Sequence, residues 1–136
     1  MPRIPSVLIV DDDTDTREMY GWCLEGCGFK VALASSSDTA LAQVAREIPD
    51  AVITDYTLPG DDGFTFADAL RRAPATSQVV LILVSGRDFA GEAQDRAAKL
   101  FDRVLLKPVL PDELVGYLRP LLVSRAQDAA SASGPN

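Results

Sequence analysis

The chain has no histidine and only two cysteines among its 136 residues. Cys23 and Cys27 are four residues apart, and without histidine a mixed Cys/His zinc site cannot be completed. Two cysteines do not make a disulfide framework, which favours a reducing, cytoplasmic environment. We therefore expect both thiols to be small buried side chains on one face of a helix.

Long hydrophobic runs and an excess of basic residues are also missing. No apolar run approaches the roughly 20 residues that span a bilayer, and residues 1–6 lack the apolar segment of a secretory signal. The formal charge is −7, from 13 basic and 20 acidic residues. The missing apolar run argues against membrane insertion. Because an acidic chain repels phosphate backbones, we also expect no direct binding to nucleic acid.

Short apolar runs alternate with amphipathic segments along the chain. The pattern predicts strands at residues 7–10, 29–34, 51–54, 79–84 and 104–106. Helices are predicted over residues 15–27, between a cap at Ser36 or Ser37 and Pro49, over 64–72 and 90–100, and from Pro111 onward. Five β-α units predict an α/β domain with a parallel sheet, over residues 1–123. Residues 124–136 hold few large apolar side chains, so we expect a disordered tail.

Polar side chains follow the ends of four predicted strands. Asp11 and Asp12 follow the first, Asp55 the third, Ser85 the fourth and Lys107 the fifth. The carboxyl ends of parallel strands lie at one edge of a sheet, so these groups should converge there. Clustered carboxylates repel each other unless a cation lies among them, and oxygen ligands suit Mg²⁺.

Four motifs at these strand ends resemble the receiver domain of bacterial two-component signalling, and the resemblance covers about residues 6 to 123. The motifs are the acidic cluster Asp11-Asp12-Asp13, the stretch Asp55-Tyr56-Thr57-Leu58-Pro59 with Gly63, the hydroxyl in Val84-Ser85-Gly86, and Lys107-Pro108. The resemblance implies a flavodoxin-like (βα)5 fold, a doubly wound sheet of five parallel strands in the order 2-1-3-4-5.

The resemblance also implies a metal site and a phosphoryl site. Asp12 and Asp55 would bind Mg²⁺ with the backbone carbonyl of Thr57, and Asp11 would hold metal-bound water. Asp55 would accept a phosphoryl group from a phosphohistidine on a sensor histidine kinase or histidine phosphotransfer protein. Ser85 and Lys107 would contact the oxygens of the transferred group. The phosphorylated domain would then change its contacts with a downstream protein, and no separate substrate would be turned over.

Two positions depart from the receiver pattern. Receivers often carry an aromatic residue or histidine three positions before the lysine, and here that position is Val104. A large aromatic rotamer change is impossible there, so we expect any response to appear between Ser85 and Leu100. Leu110 stands where a polar helix cap is usual, so the first turn of the last helix could fray or dock elsewhere.

Other interpretations of the same residues remain open at this point. The acids after the first strand could be helix caps, with Asp13, Thr14 or Asp15 in that role. A phosphatase of the haloacid dehalogenase type also uses an aspartate nucleophile, but its first motif fits neither Asp11 nor Asp13 as the starting residue. A degenerate receiver that binds partners without phosphorylation is a further alternative. A flavodoxin-like cofactor carrier is disfavoured because no phosphate-binding loop follows the first strand.

Overall fold

The computed structural model describes the backbone of residues 3–132 and the side chains of residues 3–128. Helices and strands alternate along this part of the chain. In order they are β1 (Ser6–Val10), α1 (Thr14–Gly26), β2 (Lys30–Ala34), α2 (Ser37–Arg46), β3 (Ala51–Asp55), β4 (Thr57–Leu58), β5 (Asp61–Asp62), α3 (Gly63–Arg72), β6 (Val80–Ser85), α4 (Gly91–Leu100), β7 (Arg103–Leu106) and α5 (Pro111–Ala132). No helix in the described residues is long and apolar enough to cross a membrane.

The main sheet has five parallel strands in the order β2-β1-β3-β6-β7. Since β6 and β7 are the fourth and fifth predicted strands, the predicted order 2-1-3-4-5 is confirmed. The sequence did not predict β4 and β5, which form a short antiparallel hairpin. Gly60 lies in its turn with a φ of 73°, a left-handed conformation that glycine adopts without steric cost.

Side chains from the two faces of the sheet form two apolar clusters. In β1, Leu8 and Val10 face the side covered by α2, α3 and α4, whereas Val7 and Ile9 face α1 and α5. Every residue of β6 is buried, as expected for a central strand covered on both faces. The sheet therefore holds the ends of β1, β3 and β6 on a rigid, doubly covered scaffold.

The helix that follows β1 presents a different face to the core than the sequence suggested. Tyr20 and Leu24 are buried, whereas Met19 and Cys23 are exposed and Cys27 is only partly covered. The prediction of buried thiols was wrong because the two larger side chains bury more apolar area and set the rotation of α1. The exposed face also carries Trp22, whose relative exposure is 83%.

The last helix continues through residues that the sequence assigned to a disordered tail. α5 extends to Ala132, so residues 124–132 are helical, and residues 133–136 lie outside the described part of the chain. Alanine is the best helix former, so an apolar stripe is not required for the helix to continue. Arg125 also attaches this segment to the domain, since it donates hydrogen bonds to Asp102 (2.6 Å) and Gln78 (3.1 Å).

Side-chain caps begin most of the helices. The carboxylate of Asp13 accepts from the backbone N–H of Thr16 at 2.9 Å, so Asp13 caps α1 as one alternative foresaw. At α5, Leu110 supplies no polar side chain, and its backbone N–H instead donates to the carboxylate of Glu113 at 3.2 Å. By contrast, Ala90 precedes α4 without any side-chain cap.

Candidate functional site

Strand register brings three carboxylates together at the carboxyl edge of the sheet. Val10 of β1 lies opposite Thr54 of β3, so Asp11 and Asp55 emerge side by side. One carboxylate oxygen from each of Asp11, Asp12 and Asp55 lies within 4.8 Å of the others. Asp13 is the cap, whereas Asp11 and Asp12 form the cluster, so the structure separates the capping role from the site.

Asp11 is the most enclosed of the three acids, with a relative exposure of 5%. Burial raises the pKa of its carboxyl above the ordinary value, and the charges of Asp55 and Asp12 add to this effect. The backbone N–H of Asp13, which donates to Oδ1 at 2.9 Å, and the charge of Lys107 oppose the rise. Arg17 donates to the Asp11 backbone carbonyl at 2.7 Å and fixes the loop.

Lys107 lies against this cluster of acids. Its Nζ is 3.3 Å from Oδ2 of Asp55 and 3.7 Å from Oδ2 of Asp11. Partial burial opposes the charged form, but the charges of Asp55 and Asp11 outweigh it, and the pKa of Lys107 is raised. The backbone N–H of Lys107 donates to the Ser85 carbonyl at 2.8 Å, which fixes the end of β7 against β6.

The two remaining predicted residues, Ser85 and Thr57, differ in their surroundings. Ser85 is buried at the end of β6, one residue beyond Val84, which lies opposite Asp55. Its Oγ accepts from the backbone N–H of Arg87 at 2.9 Å. Thr57 is exposed and pairs with Asp62 in the hairpin, two residues after Asp55.

Gly63 is a residue of the motif to which the sequence alone gave no role. Its backbone N–H donates to the Tyr56 carbonyl at 2.6 Å. A Cβ atom at this position would lie 2.8 Å from the Asp55 carbonyl oxygen and 3.1 Å from the Tyr56 Cα. Gly63 therefore allows α3 to begin directly against the strand that carries Asp55.

The cluster of acids fits a small divalent cation. Its ligand atoms are carboxylate oxygens, and Asp12 is exposed, so water has access to complete the coordination that Mg²⁺ prefers. The neighbouring acids serve other purposes. Asp62 caps α3 through the backbone N–H of Thr65 (2.8 Å), and Asp61 accepts from the Ser37 hydroxyl (3.3 Å).

Comparison with known proteins agrees with this geometry. The sequence is 32% identical over 119 residues to the phosphate regulon transcriptional regulatory protein PhoB of Escherichia coli, covering 85% of this chain and 51% of PhoB. It is 33% identical over 126 residues to an uncharacterized 14.6 kDa protein of Leptolyngbya boryana, covering 90% and 94% of the two chains. The chain thus spans about half the length of PhoB and most of the second relative.

Solved structures show the same architecture. A response regulator from Chloroflexus aurantiacus superposes with a TM-score of 0.80 at 33% identity, covering 89% of this chain and 99% of the other. A CheY-like receiver domain from Methanospirillum hungatei gives a TM-score of 0.86 over 93% and 99% of the chains, and its 24% identity supports the fold alone. The profile of the response regulator receiver domain matches residues 7–119. With that match over most of its length and the acids, serine and lysine at the strand ends, the chain belongs to the response regulator receiver domain family.

Proposed function

We propose that Asp55 accepts a phosphoryl group in a Mg²⁺-dependent reaction and that this modification changes the contacts of the domain with other proteins. The observation that supports it most directly is the position of Lys107, whose Nζ lies 3.3 Å from Asp55 Oδ2. A phosphoryl group on that oxygen would gain an adjacent positive charge. Phosphoryl transfer depends on such positioning and charge neutralisation more than on covalent chemistry by the protein.

The chemical step is a transfer between two nucleophiles. A carboxylate oxygen of Asp55 attacks phosphorus, a P–O bond forms, and the bond from phosphorus to the donor imidazole nitrogen breaks. The electron pair of that bond stays on the imidazole. The sequence has no histidine, so the donor histidine lies outside it, on a sensor histidine kinase or a histidine phosphotransfer protein.

Asp11, Asp12, Asp55 and the carbonyl of Thr57 are the proposed metal site. When bound there, Mg²⁺ would neutralise charge on the phosphoryl oxygens. Ser85 would donate its hydroxyl to one of these oxygens, and Lys107 would pair with another. No separate substrate is expected, because the covalent product stays on the chain until it is hydrolysed.

The output surface is proposed on the face formed by α4, β7 and α5. Exposed apolar side chains on and beside β7 include Val104, Leu106, Leu110 and Tyr117. A downstream protein that covers this face would remove their apolar area from water. Phosphorylation would bias an existing equilibrium between two forms of this face.

Labelling with a small phosphodonor tests the proposal. With acetyl phosphate and Mg²⁺, intact mass spectrometry should show one labile phosphoryl group on the wild-type chain and none on Asp55→Asn. Asp61→Asn is the matched control, since it removes a carboxylate from the neighbouring hairpin, and it should be labelled like the wild type. Equal labelling of Asp55→Asn would place the acceptor elsewhere, and an unlabelled wild type would favour a degenerate receiver.

Binding of Mg²⁺ should also be visible in stability. At ten times its dissociation constant, Mg²⁺ should stabilise the fold by roughly 1.4 kcal/mol because it binds only the native state. For a domain of this size, that is a rise in melting temperature on the order of 3–6 °C. Calorimetry with EDTA and with Mg²⁺ measures it.

Unlike most substitutions, Asp12→Asn should stabilise the metal-free protein in the same experiment. Removing one of three mutually repelling charges should raise the melting temperature in EDTA and abolish most of the Mg²⁺ response. Asp38→Asn, in the first turn of α2, should keep the full response. If Mg²⁺ leaves the wild type unchanged and Asp12→Asn melts lower in EDTA, the three acids are not a metal site.

A further inference from the structure

Three aromatic rings pack together beside the proposed phosphoryl site. The ring centroids of Tyr56, Phe64 and Phe89 lie 5.0 to 5.1 Å apart in each pairing. These three residues, here called the aromatic cluster, come from the residue after Asp55, the first turn of α3 and the segment before α4. The cluster therefore joins the end of β3 to the start of α4.

Arg87 contacts both the aromatic cluster and the site. Its guanidinium carbon lies 5.2 Å from the ring centroid of Tyr56 and 5.8 Å from that of Phe89. Its backbone N–H donates to the Ser85 hydroxyl. The Tyr56 backbone N–H donates to Asp55 Oδ1 at 2.8 Å. One cation thus stacks on a ring whose own backbone holds the proposed acceptor carboxylate.

The start of α4 depends on this packing. Ala90 offers no side-chain cap, and Gly91 has a φ of 61°, so the first turn lacks the hydrogen bonds that begin α1, α2 and α3. Within α4, the buried residues are Ala97 and Leu100, both in its second half. At the amino end of the helix, the apolar contacts are made by the partly buried ring of Phe89 and the small side chain of Ala93.

We propose that Arg87 is the phosphoryl sensor of this domain. On phosphorylation of Asp55, its guanidinium leaves the rings of Tyr56 and Phe89 and pairs with the phosphoryl oxygens. Phe89 and the uncapped first turn of α4 then lose the contact that orders them. This inference rests on the proposed phosphorylation of Asp55.

The relative strength of the two interactions supports this movement. A phosphoryl group brings a charge of about −1.5 to −2 and three acceptor oxygens, which arginine pairs with in a bidentate manner. An exposed cation–π contact is weaker than such a pair, and Arg87 is exposed. Lys107 is already engaged by Asp55 and Asp11, so a second cation can add to neutralisation of the modified site. The route also needs no aromatic residue at position 104, where this chain has valine.

Titration of the full chain with beryllofluoride and Mg²⁺, a mimic of the phosphoryl group, tests the proposal. Arg87→Gln should bind beryllofluoride about tenfold more weakly than the wild type, which corresponds to about 1.4 kcal/mol. Arg96→Gln is the matched control. Arg96 stacks on Phe64 of the same cluster at 5.3 Å but lies on α4, and its loss should change affinity less than twofold.

NMR supplies a readout that a merely structural role would not change. In the wild type, the Nε–Hε signal of Arg87 should shift on adding beryllofluoride, and the amides of residues 91–93 should exchange faster with solvent. In Arg87→Gln, those amides should not respond. Wild-type affinity in Arg87→Gln, or an unmoved Arg87 signal in the bound wild type, would overturn the sensor role. Failure of the proposed function gives a different result: the wild type would then neither bind beryllofluoride nor be labelled by acetyl phosphate. The sensor role would then be wrong as well.

Discussion

Gly63→Ala should lower the free energy of unfolding by roughly 3 kcal/mol, the upper part of the usual range for overpacking. The new Cβ would lie 2.8 Å from the backbone oxygen of Asp55, and backbone cannot move aside as a flexible side chain can. Either α3 or the end of β3 must shift. The melting temperature should therefore fall by on the order of 10 °C, as measured by calorimetry.

The same substitution should slow labelling from acetyl phosphate, because the strand that moves carries Asp55. Gly116→Ala is the control of opposite sign. Gly116 lies inside α5 with no atom near its would-be Cβ, so alanine should stabilise the helix by about 0.5–1 kcal/mol. Unchanged melting and labelling in Gly63→Ala would show that the close approach of α3 to β3 is unnecessary.

Asp102→Ala should lower the free energy of unfolding by roughly 2–3 kcal/mol. This is less than the usual cost of breaking a fully buried ion pair, because the Asp102 side chain is 20% exposed. Its Oδ2 accepts from the Leu81 backbone N–H at 2.8 Å and from Arg71 at 3.2 Å, and its Oδ1 accepts from Arg125. Removal would leave Arg71 without its counter-ion in a site where burial already lowers the pKa of the guanidinium. Urea denaturation measures the loss.

Two comparisons separate the parts of this network. Asp102→Asn keeps an acceptor for the Leu81 N–H and should lose less stability than alanine. Asp68→Ala removes a surface pair with Arg72, whose side chain is 80% exposed, and should cost at most about 0.5 kcal/mol. If Asp102→Ala and Asp68→Ala prove equally mild, the network around Asp102 contributes little to folding.

The strand ends were the part of the site that the sequence could predict. The run at residues 80–84 is apolar throughout and ends at the polar Ser85, so its central place in the sheet and its carboxyl end follow from composition. Parallel pairing then brings Asp11, Asp55 and Lys107 to one edge, and the structure shows that convergence. The strand order followed from the resemblance to a family and not from the strands themselves.

Contacts between segments far apart in the chain could not be predicted from the sequence. Arg71, Asp102 and Arg125 show no local pattern, and their pairing depends on where α3, β7 and α5 meet. For this reason the contact of Arg125 with Asp102, which attaches the end of α5 to the domain, could not be predicted from the sequence. The aromatic cluster was missed in the same way, because Tyr56 and Phe89 are 33 positions apart and each alone is an ordinary apolar residue.

The rotation of α1 determines what the tryptophan fluorescence of this chain can report. Trp22 is its single tryptophan, and with 83% exposure its indole is already in water in the folded state. Tryptophan emission therefore reports little of the transition from folded to unfolded chain, and circular dichroism is the better probe of unfolding. The same indole is sensitive to anything that covers α1, since loss of water around it shifts its emission to shorter wavelength. The emission of Trp22 should therefore change little when the domain unfolds but should change when another molecule binds over α1.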